Sequence, residues 1–123
     1  MDAIVVAEDD PILRHLMQDA LTEFGVWLVC TVGDGRALLE TLTCLVPTLV
    51  VLDVQMPRLD GITAYRRLRQ REETRTVPVL FVTSAPRMVW EAGLEGPFEV
   101  LVKPFDLDAL EERVSRLVVS DST

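Results

Sequence analysis

The run Thr48-Leu49-Val50-Val51-Leu52-Asp53 is apolar on both faces until it ends in an acid. Two other runs of similar length, Ala3 to Ala7 and Val77 to Thr83, are also almost wholly apolar. A strand that is apolar on both faces belongs inside a parallel sheet, where helices cover it on either side. These three runs therefore indicate a parallel sheet buried between helices.

Helical patterns separate these runs from one another and from two further strand candidates, Val26 to Val32 and Phe98 to Val102. The first helix begins at Asp10-Pro11, an N-cap followed by proline at the first helical position, and Gly25 ends it. Further helices are predicted at about 34–45, at 61–72, around Arg87 to Ala92 and from Asp106 onward. Five strands that alternate with five helices predict a doubly wound α/β domain, because parallel strands need right-handed crossovers that place helices on both faces.

The chain of 123 residues has the size of one domain, so we assign residues 1–123 to a single domain with no output domain after it. Twelve basic residues against twenty acidic ones give a net charge of −8. A surface of that sign repels the phosphates of nucleic acid and of anionic lipid, so we expect no direct contact with either. The apolar runs are too short to span a membrane, and the amino terminus lacks the features of a signal peptide. We therefore expect a cytoplasmic protein.

Two cysteines, Cys30 and Cys44, are far apart in the sequence and have no histidine cluster between them. This spacing is not that of a zinc site or a redox pair. We expect both cysteines to be buried as small hydrophobic residues.

Polar residues stand at the carboxyl ends of four predicted strands, where sheets of this kind bind their ligands. Glu8 and Asp9 follow the first strand, Asp53 ends the third, Thr83 ends the fourth and Lys103 follows the fifth. If the strand order is 2-1-3-4-5, the first, third and fourth strands are neighbours. The long stem of Lys103 can then close most of the remaining gap.

Three carboxylates at one edge cannot all stay ionised and unpaired, because like charges disfavour one another and burial adds a desolvation cost. Either protons or a cation must be present. Oxygen ligands without histidine or cysteine select Mg2+ or Mn2+, and Mg2+ leaves room for phosphate oxygens. Asp53 is then the candidate nucleophile that accepts a phosphoryl group, with Lys103 and Thr83 stabilising the phosphoryl oxygens.

Four segments carry a resemblance to a known family: Ile4 to Pro11, Asp53 to Gly61, Val82 to Ala85 and Val102 to Phe105. In this order and spacing they resemble the receiver domain of bacterial two-component response regulators, over essentially the whole chain. The resemblance implies a flavodoxin-like (βα)5 fold with a five-stranded parallel sheet of order 2-1-3-4-5. We expect the stand-alone, single-domain type of receiver; a domain cut from a longer chain is the alternative that the sequence leaves open.

The resemblance makes Asp53 the phosphoacceptor and places a Mg2+ ion beside it. Glu8 and Asp9 form the acidic pair of that metal site. Asp9 and Asp53 bind the ion directly, and the backbone carbonyl of Gln55 supplies another ligand.

The remaining roles that the resemblance implies concern the switch. Thr83 supplies the switch hydroxyl, and Lys103 supplies the phosphate-binding ammonium group, aimed by a cis bond to Pro104. The family usually has an aromatic residue three positions before the lysine, where this chain has Val100. Phe98 lies two positions earlier on the same strand face, and our hypothesis is that it takes over part of that role.

Together these residues predict a switch controlled by phosphorylation. A partner sensor histidine kinase or histidine phosphotransfer protein loads Asp53 in a Mg2+-dependent reaction. The altered face around the fourth and fifth elements then binds a downstream protein that the sequence does not name.

Two other functions compete with this one. A receiver fold that binds its partner without phosphorylation is favoured by the missing aromatic residue and disfavoured by the complete acceptor site. An aspartate-nucleophile phosphatase would need an acid at position 55, where this chain has Gln55. We therefore predict a signalling domain and not an enzyme, with at most self-phosphorylation and self-dephosphorylation.

Overall fold

A computed structural model describes residues 2–25 and 27–122. Five parallel strands form one sheet in the order β2-β1-β3-β4-β5. The strands are β1 (Ala3–Ala7), β2 (Leu28–Val32), β3 (Leu49–Asp53), β4 (Val79–Thr83) and β5 (Phe98–Val102). The doubly wound, flavodoxin-like fold and its strand order are confirmed. Val26, where the sequence predicts that the second strand begins, lies outside the described residues.

Five helices and one 3-10 turn connect the strands. They are α1 (Pro11–Phe24), α2 (Gly35–Thr41), α3 (Gly61–Gln70), the 3-10 turn Glu72–Thr74, α4 (Pro86–Glu91) and α5 (Leu107–Ser122). Within residues 2–25 and 27–122, no helix combines the length and the apolar character that crossing a membrane requires.

Helix α2 is shorter than the sequence predicts: it ends at Thr41, whereas the prediction places its end at about residue 45. The Thr43 hydroxyl donates a hydrogen bond to the carbonyl oxygen of Glu40, which turns the chain out of the helix. Cys44 lies in this turn and is exposed. The expectation that both cysteines are buried is therefore wrong for Cys44, and Cys30 is only partly buried.

Helices α1, α3 and α5 each begin after an aspartate whose carboxylate accepts a hydrogen bond from a backbone N–H of the first turn, as the sequence predicts for Asp10. The aspartates are Asp10, Asp60 and Asp106, with acceptor distances of 3.0, 2.9 and 2.8 Å. Each carboxylate satisfies a donor that the helix itself cannot, which contributes about 1 kcal/mol at a typical N-cap. The caps therefore fix where each loop at the carboxyl edge of the sheet ends and the next helix begins.

Apolar side chains fill both faces of the sheet, as runs of two-faced apolar strands require. Along β1, Ile4 and Val6 face α1 and α5, while Val5 and Ala7 face α2, α3 and α4. All of these side chains are at most slightly exposed. The core therefore consists of two layers with the sheet between them, and polar residues gather at the ends of the strands.

The start of α3 lies directly against the end of β3. The N–H of Gly61 donates to the carbonyl oxygen of Val54 at 2.8 Å, and a Cβ atom at Gly61 would run into the carbonyl oxygen of Asp53. Only glycine fits this close approach of two backbone segments. The position of Asp53 thus depends on the absence of a side chain eight residues later.

Replacing Gly61 by alanine should destabilise the protein by about 1–3 kcal/mol, because backbone atoms must move apart to admit the new methyl group. The free energy of unfolding in urea measures the effect. Gly93→Ala is the matched control: nothing lies within 4 Å of that Cβ position, and φ is +64° there. The control should lose only about 1 kcal/mol from its left-handed backbone. Equal stability of Gly61→Ala and the wild type would contradict the close approach.

Candidate functional site

The carboxyl edge of the sheet brings together the acids that the sequence singles out. Asp53 is the last residue of β3, and Glu8 and Asp9 directly follow β1, its neighbour in the sheet. One carboxylate oxygen from each of the three residues lies within 4.8 Å of the other two. Glu8 and Asp53 are buried, and Asp9 is exposed. The cluster is therefore open to solvent on the side of Asp9.

A single ammonium group holds two of these carboxylates together. Lys103 Nζ lies 2.8 Å from Glu8 Oε1 and 3.5 Å from Asp53 Oδ1. The backbone of Lys103 is fixed as well, because its N–H donates to the carbonyl oxygen of Thr83 at 2.8 Å. The Lys103–Pro104 peptide bond is cis, as the resemblance implies. The lysine side chain thus reaches back over the sheet edge to the acids.

Negative charge is in excess at this edge. Burial raises the pKa of Asp53 from its ordinary value of 3.8 to about 7, and the charge of Glu8 adds to the rise, while Lys103 opposes it. Burial alone would lower the pKa of Lys103, but a hydrogen bond to Glu8 and the charge of Asp53 raise it overall. The lysine therefore stays charged at neutral pH, whereas Asp53 shares its site with a proton unless another cation is present.

The donor set fits Mg2+. Three carboxylates converge without a histidine or cysteine among them, and hard oxygen ligands of this kind favour Mg2+ or Mn2+ over softer metals such as copper and zinc. A divalent cation would also neutralise the charge that raises the pKa of Asp53. Gln55, whose backbone carbonyl is the fourth ligand expected from the resemblance, lies in the exposed loop after Asp53.

Thr83 stands beside Asp53, because β3 and β4 are neighbours and Asp53 pairs with the residue before Thr83. The Thr83 side chain is buried, and its hydroxyl oxygen accepts a hydrogen bond from the N–H of Ala85 at 2.9 Å. The hydroxyl therefore lies in the turn that follows β4. A movement of this hydroxyl would break that bond and displace the start of α4.

Phe98 lies far from the other site residues. It pairs with Val79 at the amino end of β4, four residues, or about 13 Å along the strand, from Thr83. Its ring packs against three other aromatic rings, those of Tyr65, Phe81 and Trp90. The packing role of Phe98 is therefore clear, and its part in the switch stays a prediction.

Val100, at the position where the family usually has an aromatic residue, is partly buried and pairs with Phe81. Phe98 and Val100 pack into the same core layer, as their spacing along the strand predicts. Position 100 is thus filled by a small side chain within the core.

Two interactions near the site were not predicted from the sequence. Arg14 donates from Nη1 to the carbonyl oxygen of Glu8 at 2.8 Å and so holds the loop after β1. Asp34 accepts from the N–H of Ala37 and from Arg58 Nε at 2.7 Å. These two bonds hold the pKa of Asp34 below its usual range. A sequence signal exists only for the cap, since an aspartate before a short helical pattern is a common N-cap.

The family model of the response regulator receiver domain matches residues 4–115. The regulatory protein AtoC of Escherichia coli (strain K12) is 32% identical over an alignment of 120 residues, and the match covers 94% of this chain and 25% of AtoC. The transcriptional regulatory protein PdtaR of Mycobacterium tuberculosis is 34% identical over an alignment of 119 residues, and the match covers 92% of this chain and 57% of PdtaR. The chain thus spans less than two thirds of either relative.

A solved structure has the same architecture. The receiver domain of the sensor histidine kinase PA1611 from Pseudomonas aeruginosa PAO1 has a magnesium ion coordinated in its active site cleft. It is 27% identical to this chain, with a TM-score of 0.85 and coverage of 96% of this chain and 98% of that chain.

Replacing Asp53 by asparagine should stabilise the protein at about pH 8 in metal-free buffer, by on the order of 1–3 kcal/mol. The pKa of Asp53 is 3.8 when unfolded and about 7 when folded, so the folded wild type binds the extra proton between these values. Its free energy of unfolding therefore falls as the pH rises through this range, and asparagine removes that loss. Urea unfolding at about pH 4 and about pH 8 measures it; an equal difference between the two proteins at both pH values would contradict the raised pKa.

Replacing Lys103 by methionine should lower the free energy of unfolding by up to about 3 kcal/mol, because Glu8 is then buried without its counter-charge. The double variant Glu8→Gln/Lys103→Met should recover part of that loss, since it removes both charges. Thermal or urea unfolding of the four proteins of this cycle gives the coupling energy. Additive effects of the two single substitutions would show that the 2.8 Å contact contributes nothing.

Proposed function

This chain belongs to the response regulator receiver domain family, and from that membership we propose that Asp53 accepts a phosphoryl group in a Mg2+-dependent reaction. Receiver domains are signalling modules and generally not enzymes. The observation that carries the proposal is the contact of one Lys103 ammonium group with both Glu8 and Asp53. That contact supplies a nucleophile and a positive charge for the phosphoryl oxygens at the same place.

The donor is a phosphohistidine of a sensor histidine kinase or of a histidine phosphotransfer protein. A carboxylate oxygen of Asp53 forms a bond to phosphorus while the phosphorus–nitrogen bond of the donor breaks, and the imidazole leaves with the electron pair of that bond. Asp53 must be deprotonated to attack. Its pKa of about 7 without a metal means that a cation in the acidic cluster favours the reactive form.

Two groups of the chain act on the phosphoryl oxygens in this proposal. Lys103 turns its ammonium group from Asp53 to the phosphoryl group, and the Thr83 hydroxyl exchanges its bond with the N–H of Ala85 for one to a phosphoryl oxygen. Glu8, Asp9, Asp53 and the carbonyl of Gln55 would hold Mg2+. When bound, the ion supplies positive charge beside the phosphoryl oxygens.

An apolar surface next to the site supports a protein donor. Ile12 and Leu16 on α1 are exposed, and Leu13 of the same helix lines a cavity of about 300 Å³ together with Ser84, Lys103, Pro104 and Phe105. Exposed apolar side chains of this kind mark protein contact sites. A donor protein seated on α1 would bring its histidine to the edge of the sheet where Asp53 lies.

A second apolar surface fits the downstream partner. Met88 and Trp90 on α4 and Val102 at the end of β5 are all exposed. Of these residues, Val102 pairs with Thr83 across the sheet, and the Thr83 hydroxyl lies in the turn that leads into α4. Movement of Thr83 on phosphorylation would therefore alter the surface that the partner contacts.

The alternative is a receiver that binds its partner without phosphorylation. One observation favours it, namely that Val100 fills the position of the aromatic residue whose rotamer reports phosphorylation elsewhere in the family. A chain that takes up no phosphoryl group at Asp53 would fit this alternative.

Incubation with a small phosphodonor, phosphoramidate, and Mg2+ should add one phosphoryl group to the wild type and none to Asp53→Asn, because asparagine lacks the nucleophilic oxygen. Intact mass spectrometry measures the gain, and chelation of Mg2+ should abolish it. Asp10→Asn is the matched control, since it makes the same chemical change at an exposed acid and asparagine still caps α1. It should be phosphorylated like the wild type.

Absence of a mass gain in the wild type would overturn the proposal and favour the phosphorylation-independent module. A gain that persists in Asp53→Asn would place the phosphoryl group on another residue. Sustained release of phosphate from unrelated monoesters would instead indicate a phosphatase.

A further inference from the structure

A groove between α2 and α3 gathers positive charge on an acidic protein. Its cavity of about 410 Å³ is lined by Arg36, Arg58, Arg67 and Arg71, and the one acid that lines it is Glu40. The chain has only twelve basic residues and a net charge of −8. A third of all its basic residues thus line one groove, although positive groups at such short range repel one another.

Contacts within the protein occupy two of these four arginines. Arg58 donates from Nε to Asp34, and Arg71 donates from Nη1 to the carbonyl oxygen of Leu39. The first bond joins the N-cap of α2 to the loop before α3, and the second joins α2 to the residue that follows α3. Both bonds hold the walls of the groove in place. Arg58 keeps a positive φ of 65° in this arrangement, which is a strained backbone conformation for a residue with a side chain.

The other two arginines have no such partner. Across residues 2–25 and 27–122, neither Arg36 nor Arg67 forms an ion pair with a carboxylate. Both are exposed and lie on opposite walls of the groove, on α2 and α3. Two guanidinium groups that face one groove without a counter-charge are suited to an anion from outside the chain.

The size and surroundings of the groove favour a small ligand over a polymer. A volume of about 410 Å³ is within the range of small-molecule sites. The adjoining cavity at the end of α2 shares Arg71 but is also lined by Glu73, so the basic surface does not extend in that direction. The negative charge of the rest of the chain would repel a long polyanion.

The chemistry of arginine indicates which anion fits. The planar guanidinium group donates two parallel hydrogen bonds to phosphate oxygens, which is why arginine predominates where phosphate is recognised by shape. Leu39 and Leu59 add apolar surface to the same groove. We propose that the groove between α2 and α3 binds a small phosphate-bearing anion, at a site separate from Asp53.

Titration calorimetry with inorganic pyrophosphate and with ADP, both without Mg2+, tests the proposal. The wild type should bind at least one of the two probes saturably, and Arg36→Gln/Arg67→Gln should bind it at least tenfold more weakly. Tighter binding of ADP than of pyrophosphate would indicate that the adenine base also contacts Leu39 or Leu59. The control is Arg87→Gln/Arg116→Gln, which removes the same charge from exposed positions outside the groove and should bind within twofold of the wild type.

A second measurement locates the site directly. In nitrogen-15 amide spectra of the wild type, pyrophosphate should shift the signals of α2 and α3 more than those near Asp53.

Four results would overturn the proposal. They are no saturable binding of either probe, equal loss of affinity in the control variant, larger amide shifts near Asp53 than in α2 and α3, and tighter binding of a decaglutamate peptide than of both probes. The last result would assign the groove to an acidic protein segment.

Discussion

One ammonium group among three carboxylates is the constraint on which the rest of this structure depends. Parallel strands end at the same edge, so any polar residue that follows a strand is brought close to the others. Glu8 is fully buried there, and Lys103 is the counter-charge that contacts it. Burial, together with the charge of Glu8, raises the pKa of Asp53, and the excess of negative charge at this edge makes it suitable for a divalent cation and for phosphoryl oxygens.

The loops around the site are held by backbone contacts as much as by side chains. Gly61 admits the end of β3, and a Cβ at Gly35 would run into the carbonyl oxygen of Leu59. The ion pair of Arg58 with Asp34 ties the loop after Asp53 to the start of α2. A rigid sheet and short, tightly packed loops thus keep Asp53 in place, while solvent reaches the cluster beside Asp9.

The net charge of the chain conceals two local environments of opposite sign. Acids dominate the carboxyl edge, and arginines dominate the groove between α2 and α3. Arg58 connects the two environments, because it lies in the loop after Asp53 and also lines the groove. The net charge of the whole chain therefore describes neither surface. The repulsion of polyanions that we infer from the net charge applies to the molecule as a whole.

The fold class, the strand and helix pattern, the helix caps and the residues of the acidic cluster could all be predicted from the sequence. Each depends on local features: apolar runs, an aspartate before a helix, and polar residues at the ends of strands. The strand order came from the family resemblance. The exposed turn at Cys44, the aromatic cluster around Phe98, the link between Asp34 and Arg58 and the groove of arginines required the tertiary structure. These features join residues that are distant in the sequence, and which of them meet is decided by how the helices pack against the sheet.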